Sequence, residues 1–216
     1  MAKAKSTFIN LLVTLLVVTI VSATILGYIY SLTKEPIALA KIEKSKKAIE
    51  KVVPEFDNNP VEEMYFLEAG NEKFEAYPAK KQGILVGTAI RTVSNMGFSG
   101  EVWLMAGFLP DGSICDVSVL EHKETPGLGT KMEDESFKHQ YRNQNPKTFN
   151  LKVKKDGGQV DGITAATISA RAFSDAVQKA FNALEIHNEK NKVEQNKEVS
   201  EVEPNNEITE EVTNDN

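Results

Sequence analysis

The stretch "GEVWLMAGFLPDGSICDVSVLEH", residues 100–122, holds the strongest fold signal in this 216-residue chain. Two runs rich in β-branched and aromatic residues flank Pro110, Asp111 and Gly112. Proline presets φ for a turn and glycine accepts a positive φ, so the pattern predicts an antiparallel β-hairpin.

Weaker patterns surround the hairpin. They predict a strand over 84–93, a short helix over 134–143 and a strand over 149–160 that ends in a glycine turn, whereas 55–82 shows no clear period. Apolar residues then recur at helical spacing and predict an amphipathic helix. Its predicted apolar face consists of Ile168, Ala172, Ala176, Val177, Ala180, Phe181 and Leu184. Because strands and helices do not alternate as parallel units, we expect an α+β domain over 55–186, with an antiparallel sheet and flanking helices.

The N-terminal region predicts a membrane anchor. Residues 8–30 contain no charged side chain and would extend about 34 Å as a helix, enough to cross a bilayer. A cleaved signal peptide is the alternative, but its only plausible cleavage site, "VSA" at 21–23, lies inside the apolar run. We therefore expect an uncleaved single transmembrane helix after a short cytoplasmic N-terminus, residues 1–7.

A second helix is expected at 31–54, next to the membrane. Thr33 is placed to cap it, Pro36 suits its first turn, and Pro54 ends it. Lysines lie on both sides of the apolar run, and long domains cross membranes largely regardless of charge. Charge alone therefore leaves the orientation open.

The charge is concentrated at the C-terminus. Residues 187–216 contain nine acidic residues and three lysines, which accounts for the whole formal net charge of −6. This segment is too polar to bury much surface, so we expect a disordered acidic tail. The rest of the chain is formally neutral, which gives no electrostatic case for nucleic-acid binding. One cysteine and three scattered histidines predict no metal site.

A possible site lies at the start of the predicted C-terminal helix, in "QVDGITAATISARAF", residues 159–173. On this motif alone, the simpler interpretation is that Thr167 is a helix N-cap. The alternative is a phosphate site, because a helix N-terminus offers free N–H groups and a positive dipole end. Ala165 and Ala166 would let a bulky group approach the backbone.

A second motif is "HKETPGLGTK", residues 122–131. It is typical either of a plain turn or of a loop that lies against a planar ligand. In the second case, the amides of Gly127 and Gly129 are expected to be free to bond a ring.

Together, the two motifs resemble the FMN-binding domain shared by the G subunit of the Rnf electron-transport complex and the C subunit of the sodium-translocating NADH:quinone reductase. The family pattern Asp-x-x-Ser/Thr-Gly-Ala-Thr matches residues 161–167, except that Ala165 replaces the usual glycine. The resemblance extends from the anchor to about Leu184. It implies an FMN phosphoester on Thr167, and flavin contacts in the ETPGLG loop from Glu124, Thr125, Leu128 and Gly129. Asp161 and Thr164, with Ala165 and Ala166, would shape the acceptor loop.

The resemblance also implies a function. The chain would relay electrons within an ion-translocating ferredoxin:NAD oxidoreductase of the plasma (inner) membrane, beside other membrane and iron–sulfur subunits. The flavin domain would face the extracytoplasmic, or periplasmic, side, and a separate magnesium-dependent FMN transferase would attach the flavin from FAD. The sequence has no nucleotide fingerprint for NAD and no evident catalytic residues of its own. The C subunit of the quinone reductase and a membrane-tethered FMN module outside a pump remain the alternatives.

Overall fold

The structure is a computed structural model that describes residues 8–201, with side chains as far as Val193. The predicted cytoplasmic N-terminus, residues 1–7, lies outside the described residues. The chain forms two compact units that divide between Lys47 and Ala48.

The N-terminal helix α1, Phe8–Val52, is one continuous element, so the prediction of two helices is wrong. Thr33 does not cap a new helix, because its hydroxyl donates to the carbonyl of Ile29 one turn earlier, at 2.9 Å. Pro36 lies inside the helix, where it removes one backbone donor without ending the element. The most apolar 18-residue window of α1 has a mean hydropathy of 2.5 and is wholly unburied, so the helix is long and apolar enough to cross a membrane.

Five antiparallel strands form one sheet in sequence order. They are β1, Tyr65–Ala69; β2, Glu72–Lys81; β3, Ile84–Ser94; β4, Val102–Phe108; and β5, Ile114–Glu121. The predicted β4–β5 hairpin is confirmed, and Gly112 turns it with a φ of +86°. The predicted strand at 84–93 is β3.

Strands β1 and β2 occupy a region in which the sequence indicated no regular element. Their alternation is masked by Glu and Lys on the outward face, while Leu67, Phe74 and Ala76 point into the core. Pro78 is tolerated because β1 pairs with β2 only as far as Ala76, which leaves the proline beyond the end of that ladder.

The C-terminal helix α3, Thr167–Glu201, packs against one face of the sheet. Small residues let it approach closely, and the carbonyl of Ala176 accepts a hydrogen bond from the buried Thr92 hydroxyl of β3 at 2.9 Å. A second apolar cluster, which includes Ile49 and Val52, covers other sheet residues such as Met105. Gly107 of β4 has no room for a Cβ atom, because the backbone of Val52 lies against it.

Two predicted boundaries in the C-terminal half are corrected. Residues 149–160 form a loop with a 3₁₀ turn at Lys154–Asp156 and one isolated bridge, because Gly157 has a left-handed φ and Gly158 packs on the backbone of Lys152. Helix α3 continues past residue 186 to Glu201, since the Glu, Lys and Gln residues there favour a helix even without an apolar face. Residues 202–216 of the predicted tail lie outside the described residues.

A short helix, α2, Glu135–Lys138, is followed by a 3₁₀ turn at His139–Tyr141, as the sequence indicated. The rings of Phe137, Tyr141 and Phe173 meet here and anchor this connection on α3.

Candidate functional site

The two sequence motifs line one cavity of about 370 Å³ at the start of α3. The predicted site residues that line it are Glu124, Thr125, Leu128, Gly129, Ala165, Ala166 and Thr167. Four residues not predicted as part of the site complete the lining, namely Phe98, Lys155, Ile168 and Ser169. Asp161 and Thr164 are not among the lining residues.

Thr167 is the first residue of α3, and its side chain is partly exposed on the cavity. The first N–H groups of a helix lack intrahelical acceptors, so this end of α3 favours an anion. The Nζ atom of Lys155 lies 3.4 Å from the Thr167 hydroxyl oxygen. A threonine hydroxyl, a helix N-terminus and a cation are thus brought together.

The loop before Thr167 reverses at Ala165, whose φ is +61°. This is a left-handed conformation that glycine adopts more easily than alanine. The turn is closed by the Ala166 amide, which donates to the Ile163 carbonyl at 3.0 Å. A positive φ at this position is consistent with the glycine of the family pattern that residues 161–167 resemble.

Glu124 is buried, with 4% of its surface exposed, and its carboxylate joins three segments. Its Oε2 atom accepts a hydrogen bond from the Ser169 hydroxyl of α3, and Oε1 accepts one from the Ser99 amide at 2.9 Å. Gly129 packs so closely that an added Cβ would lie 2.6 Å from the Cβ of Glu124. Glu124 therefore fixes the walls of the cavity, and both of its carboxylate oxygens already have protein partners.

The glycine loop closes on itself. The Thr125 carbonyl accepts from the amides of Leu128 and Gly129 at 3.2 and 3.0 Å, and the Gly127 amide donates to the Thr130 hydroxyl at 2.9 Å. The expectation that the amides of Gly127 and Gly129 are free to bond a ring is therefore wrong. The closed turn instead presents the Leu128 side chain, 40% exposed, at the cavity.

Two further apolar side chains are exposed around the cavity. Phe98 follows β3 in the "NMGFSG" loop and is 68% exposed, and Ile168 in the first turn of α3 is 42% exposed. The prediction that Ile168 belongs to the core face of its helix is therefore wrong. The glycines that flank Phe98 mark a loop in the sequence, but its exposure and its place at the cavity are seen only in the structure.

Ion pairs hold the loop that carries Lys155. Arg171 makes two hydrogen bonds of 2.7 Å to the Asp156 carboxylate, and the bond to Arg171 lowers the pKa of Asp156. Lys154 pairs with Asp161 at 2.7 Å. Asp161 lies outside the cavity lining, and its predicted role in the acceptor loop stays a prediction.

Among residues 8–193, whose side chains the structure describes, there is no group of three or more potential metal ligands. Nor does that part of the chain contain a buried side-chain donor or acceptor without a partner.

Comparison with known proteins identifies the domain. Residues 97–182 match a family model described as an FMN-binding domain. The chain is 33% identical over 187 residues to the G subunit of the ion-translocating oxidoreductase complex of Vibrio cholerae strain O395, covering 79% of this chain and 90% of that protein. It is 35% identical to the corresponding G subunit of Haemophilus influenzae strain PittEE, covering 76% and 82%.

A solved structure is also similar, the C subunit of the Na⁺-translocating NADH-quinone reductase of Parabacteroides distasonis. The identity is 20%, the TM-score is 0.43, and the match covers 60% of this chain and 69% of that one. The assignment depends on the sequence relatives, which are more than 30% identical over most of both chains. The chain therefore belongs to the family of G subunits of ion-translocating oxidoreductase complexes, and it contains an FMN-binding domain.

Proposed function

We propose that this chain is the electron-relay G subunit of an Rnf-type ion-translocating ferredoxin:NAD oxidoreductase, with FMN esterified through its phosphate to Thr167. The observation that carries the proposal is the shared cavity. Two motifs about forty residues apart meet there, with the Thr167 hydroxyl at a helix N-terminus.

The lining fits FMN in size and chemistry. A recess of about 370 Å³ is within the range of small-molecule sites, about 300–1,000 Å³. Phe98, Leu128 and Ile168 offer apolar surface to a planar ring, while Thr167 and Lys155 offer a polar, positive end to a phosphate. FMN supplies one- and two-electron chemistry when it is bound, and the chain supplies its position and its access to partners.

Attachment is a phosphoryl-type transfer in which Thr167 is the acceptor. Its Oγ1 atom would form the bond to the FMN phosphorus, while the pyrophosphate bond of an FAD donor would break with AMP as the leaving group. The hydroxyl proton would pass to a base outside this chain. Lys155 as an ammonium cannot take that proton, and the other ionisable side chain of the lining, Glu124, is buried and already hydrogen-bonded. A separate FMN transferase is consistent with this arrangement.

The relatives support membership of a membrane complex. They are named as subunits of ion-translocating oxidoreductase complexes, and α1 has the length and composition of a membrane anchor. We place the FMN domain on the extracytoplasmic side of the plasma membrane, beside other membrane and iron–sulfur subunits. A lone FMN module would co-purify with no complex. The C subunit of a quinone reductase would co-purify with a different complex.

The test is the intact mass of the denatured full-length protein after co-expression with an FMN transferase. Wild type is expected to gain the mass of FMN less one water, and Thr167→Ala is expected to gain nothing. Thr148→Ala is the control, since it removes a threonine hydroxyl from an exposed position outside both motifs and outside the cavity lining, and it is expected to gain the flavin. Retention of the added mass by Thr167→Ala would reject the proposal.

A further inference from the structure

Lys155 lies beside the proposed acceptor, and neither motif includes it. Its Nζ atom is 3.4 Å from the Thr167 hydroxyl oxygen, and its side chain lines the cavity. It comes from the loop that the sequence predicted as a strand. Only the folded chain brings it to the start of α3.

The position of Lys155 is fixed from both sides. Asp156 is held by the Nε and Nη2 atoms of Arg171, at 2.7 Å each. Arg171 lies four residues after Thr167, and therefore one turn along the same face of α3. The turn is closed on its other side by the Gly157 amide, which donates to the Lys154 carbonyl at 3.1 Å. This arrangement places residue 155 beside residue 167.

Among the charged residues near the start of α3, Lys155 is the cation that lines the cavity. Lys154 pairs with Asp161 outside the cavity lining, and Asp156 pairs with Arg171. The acidic residue in the lining, Glu124, is buried and bonded to Ser169 and Ser99. The polar end of the cavity thus combines an ammonium group with the positive end of a helix dipole.

We propose that Lys155 is the positioning residue for the phosphate esterified to Thr167, which rests on the proposed function. A phosphate diester retains one negative charge, and an ammonium group at hydrogen-bond distance from its oxygens is a charge-assisted partner. Lys155 binds the phosphate group during transfer and holds the finished diester against α3 afterwards. The ammonium on this loop and the amides of the helix then bind the same anion from two sides.

The first test measures the rate of flavin attachment to the full-length protein at limiting FMN transferase, by intact mass. Lys155→Gln is expected to slow attachment about tenfold, as for loss of one charge-assisted hydrogen bond. Lys155→Arg keeps the charge and is expected to retain most of the rate. Lys152→Gln is the control, since it removes the same charge from the same exposed loop at a residue that does not line the cavity. Equal rates for Lys155→Gln and wild type, or equal losses in both glutamine variants, would overturn the proposal.

The second test detects the contact itself. Holoprotein labelled with ¹⁵N at the lysine Nζ atoms is examined in membranes by ³¹P–¹⁵N dipolar recoupling. In wild type and in Lys152→Gln, a nearby lysine ¹⁵N nucleus is expected to cause rapid dephasing of the ³¹P signal of the phosphate diester. In Lys155→Gln, this dephasing is expected to be lost. A wild-type holoprotein without dephasing would refute the role of Lys155. A wild-type protein that gains no flavin at all, under a transferase shown to be active, would refute the proposed function instead.

Discussion

Ala165 is an alanine in a backbone conformation that favours glycine. Its φ of +61° is in the left-handed region, where a Cβ atom costs about 1–2 kcal/mol. The reversal is nevertheless required, because it turns the chain into α3 and exposes the Thr167 hydroxyl at the cavity. The strained residue and the proposed acceptor are thus two positions apart, which is typical of functional sites.

Replacing Ala165 with glycine is expected to stabilise the protein by about 0.5–1 kcal/mol. Removal of the left-handed strain outweighs the additional chain entropy of glycine, which costs about 0.5–1 kcal/mol. Urea unfolding of the full-length protein in detergent measures the difference. Ala166→Gly is the control, since Ala166 is buried and has no positive φ, and it is expected to be destabilising. A destabilised Ala165→Gly protein would contradict the strain.

At the scale of elements, β3, the β4–β5 hairpin and α3 were predictable because their local patterns are clear. The Pro-Asp-Gly turn fixes the β4–β5 hairpin, and a regular apolar face fixes α3. Strands β1 and β2 were missed, since Glu and Lys on their outer faces hide the alternation. The break predicted at Thr33 was wrong because a threonine hydroxyl bonds as readily to a carbonyl of its own helix as to a free amide.

The candidate site likewise contains both residues that the sequence predicted and residues that it did not predict. The two motifs predicted Thr167 and the glycine loop, which the structure brings together at one cavity. Lys155, Phe98 and Ser169 were not predicted, because their places depend on tertiary contacts. Ser169, for example, reaches Glu124 across 45 residues of sequence. A contact between residues so far apart in the sequence cannot be predicted from a local sequence pattern.

The ion pair between Arg171 and Asp156 is expected to order the loop that carries Lys155. Arg171→Gln removes the two hydrogen bonds that hold Asp156 on α3, so the backbone amides of 156–158 should exchange with solvent several-fold faster. Hydrogen exchange with mass spectrometry of the full-length protein provides the measurement. Asp156→Asn should give the same local effect. Lys179→Gln breaks a separate ion pair of α3, with Glu72, and should leave these amides unchanged. Unaltered exchange in Arg171→Gln would show that the glycines alone fix the loop.

At the scale of the whole molecule, the chain combines an apolar helix with a domain whose recess suits FMN. The membership of the G-subunit family and the apolar α1 together indicate a membrane-anchored protein. If the domain faces the extracytoplasmic side, as proposed above, an ester linkage would keep the flavin on it where free FMN would be lost by dilution. The recess leaves Phe98, Leu128 and Ile168 exposed, so a flavin lying there would remain within reach of a redox partner.

The most direct test of the central claim is to locate the flavin within a single peptide. Trypsin is expected to cut after Lys155 and Arg171, releasing residues 156–171, which contain Thr164, Thr167 and Ser169 as the hydroxyl-bearing residues. Fragmentation of this peptide from the denatured wild-type holoprotein should assign the mass of FMN less one water to Thr167. Assignment of that mass to Thr164 or Ser169, or a fully unmodified peptide after exposure to an active transferase, would contradict the account.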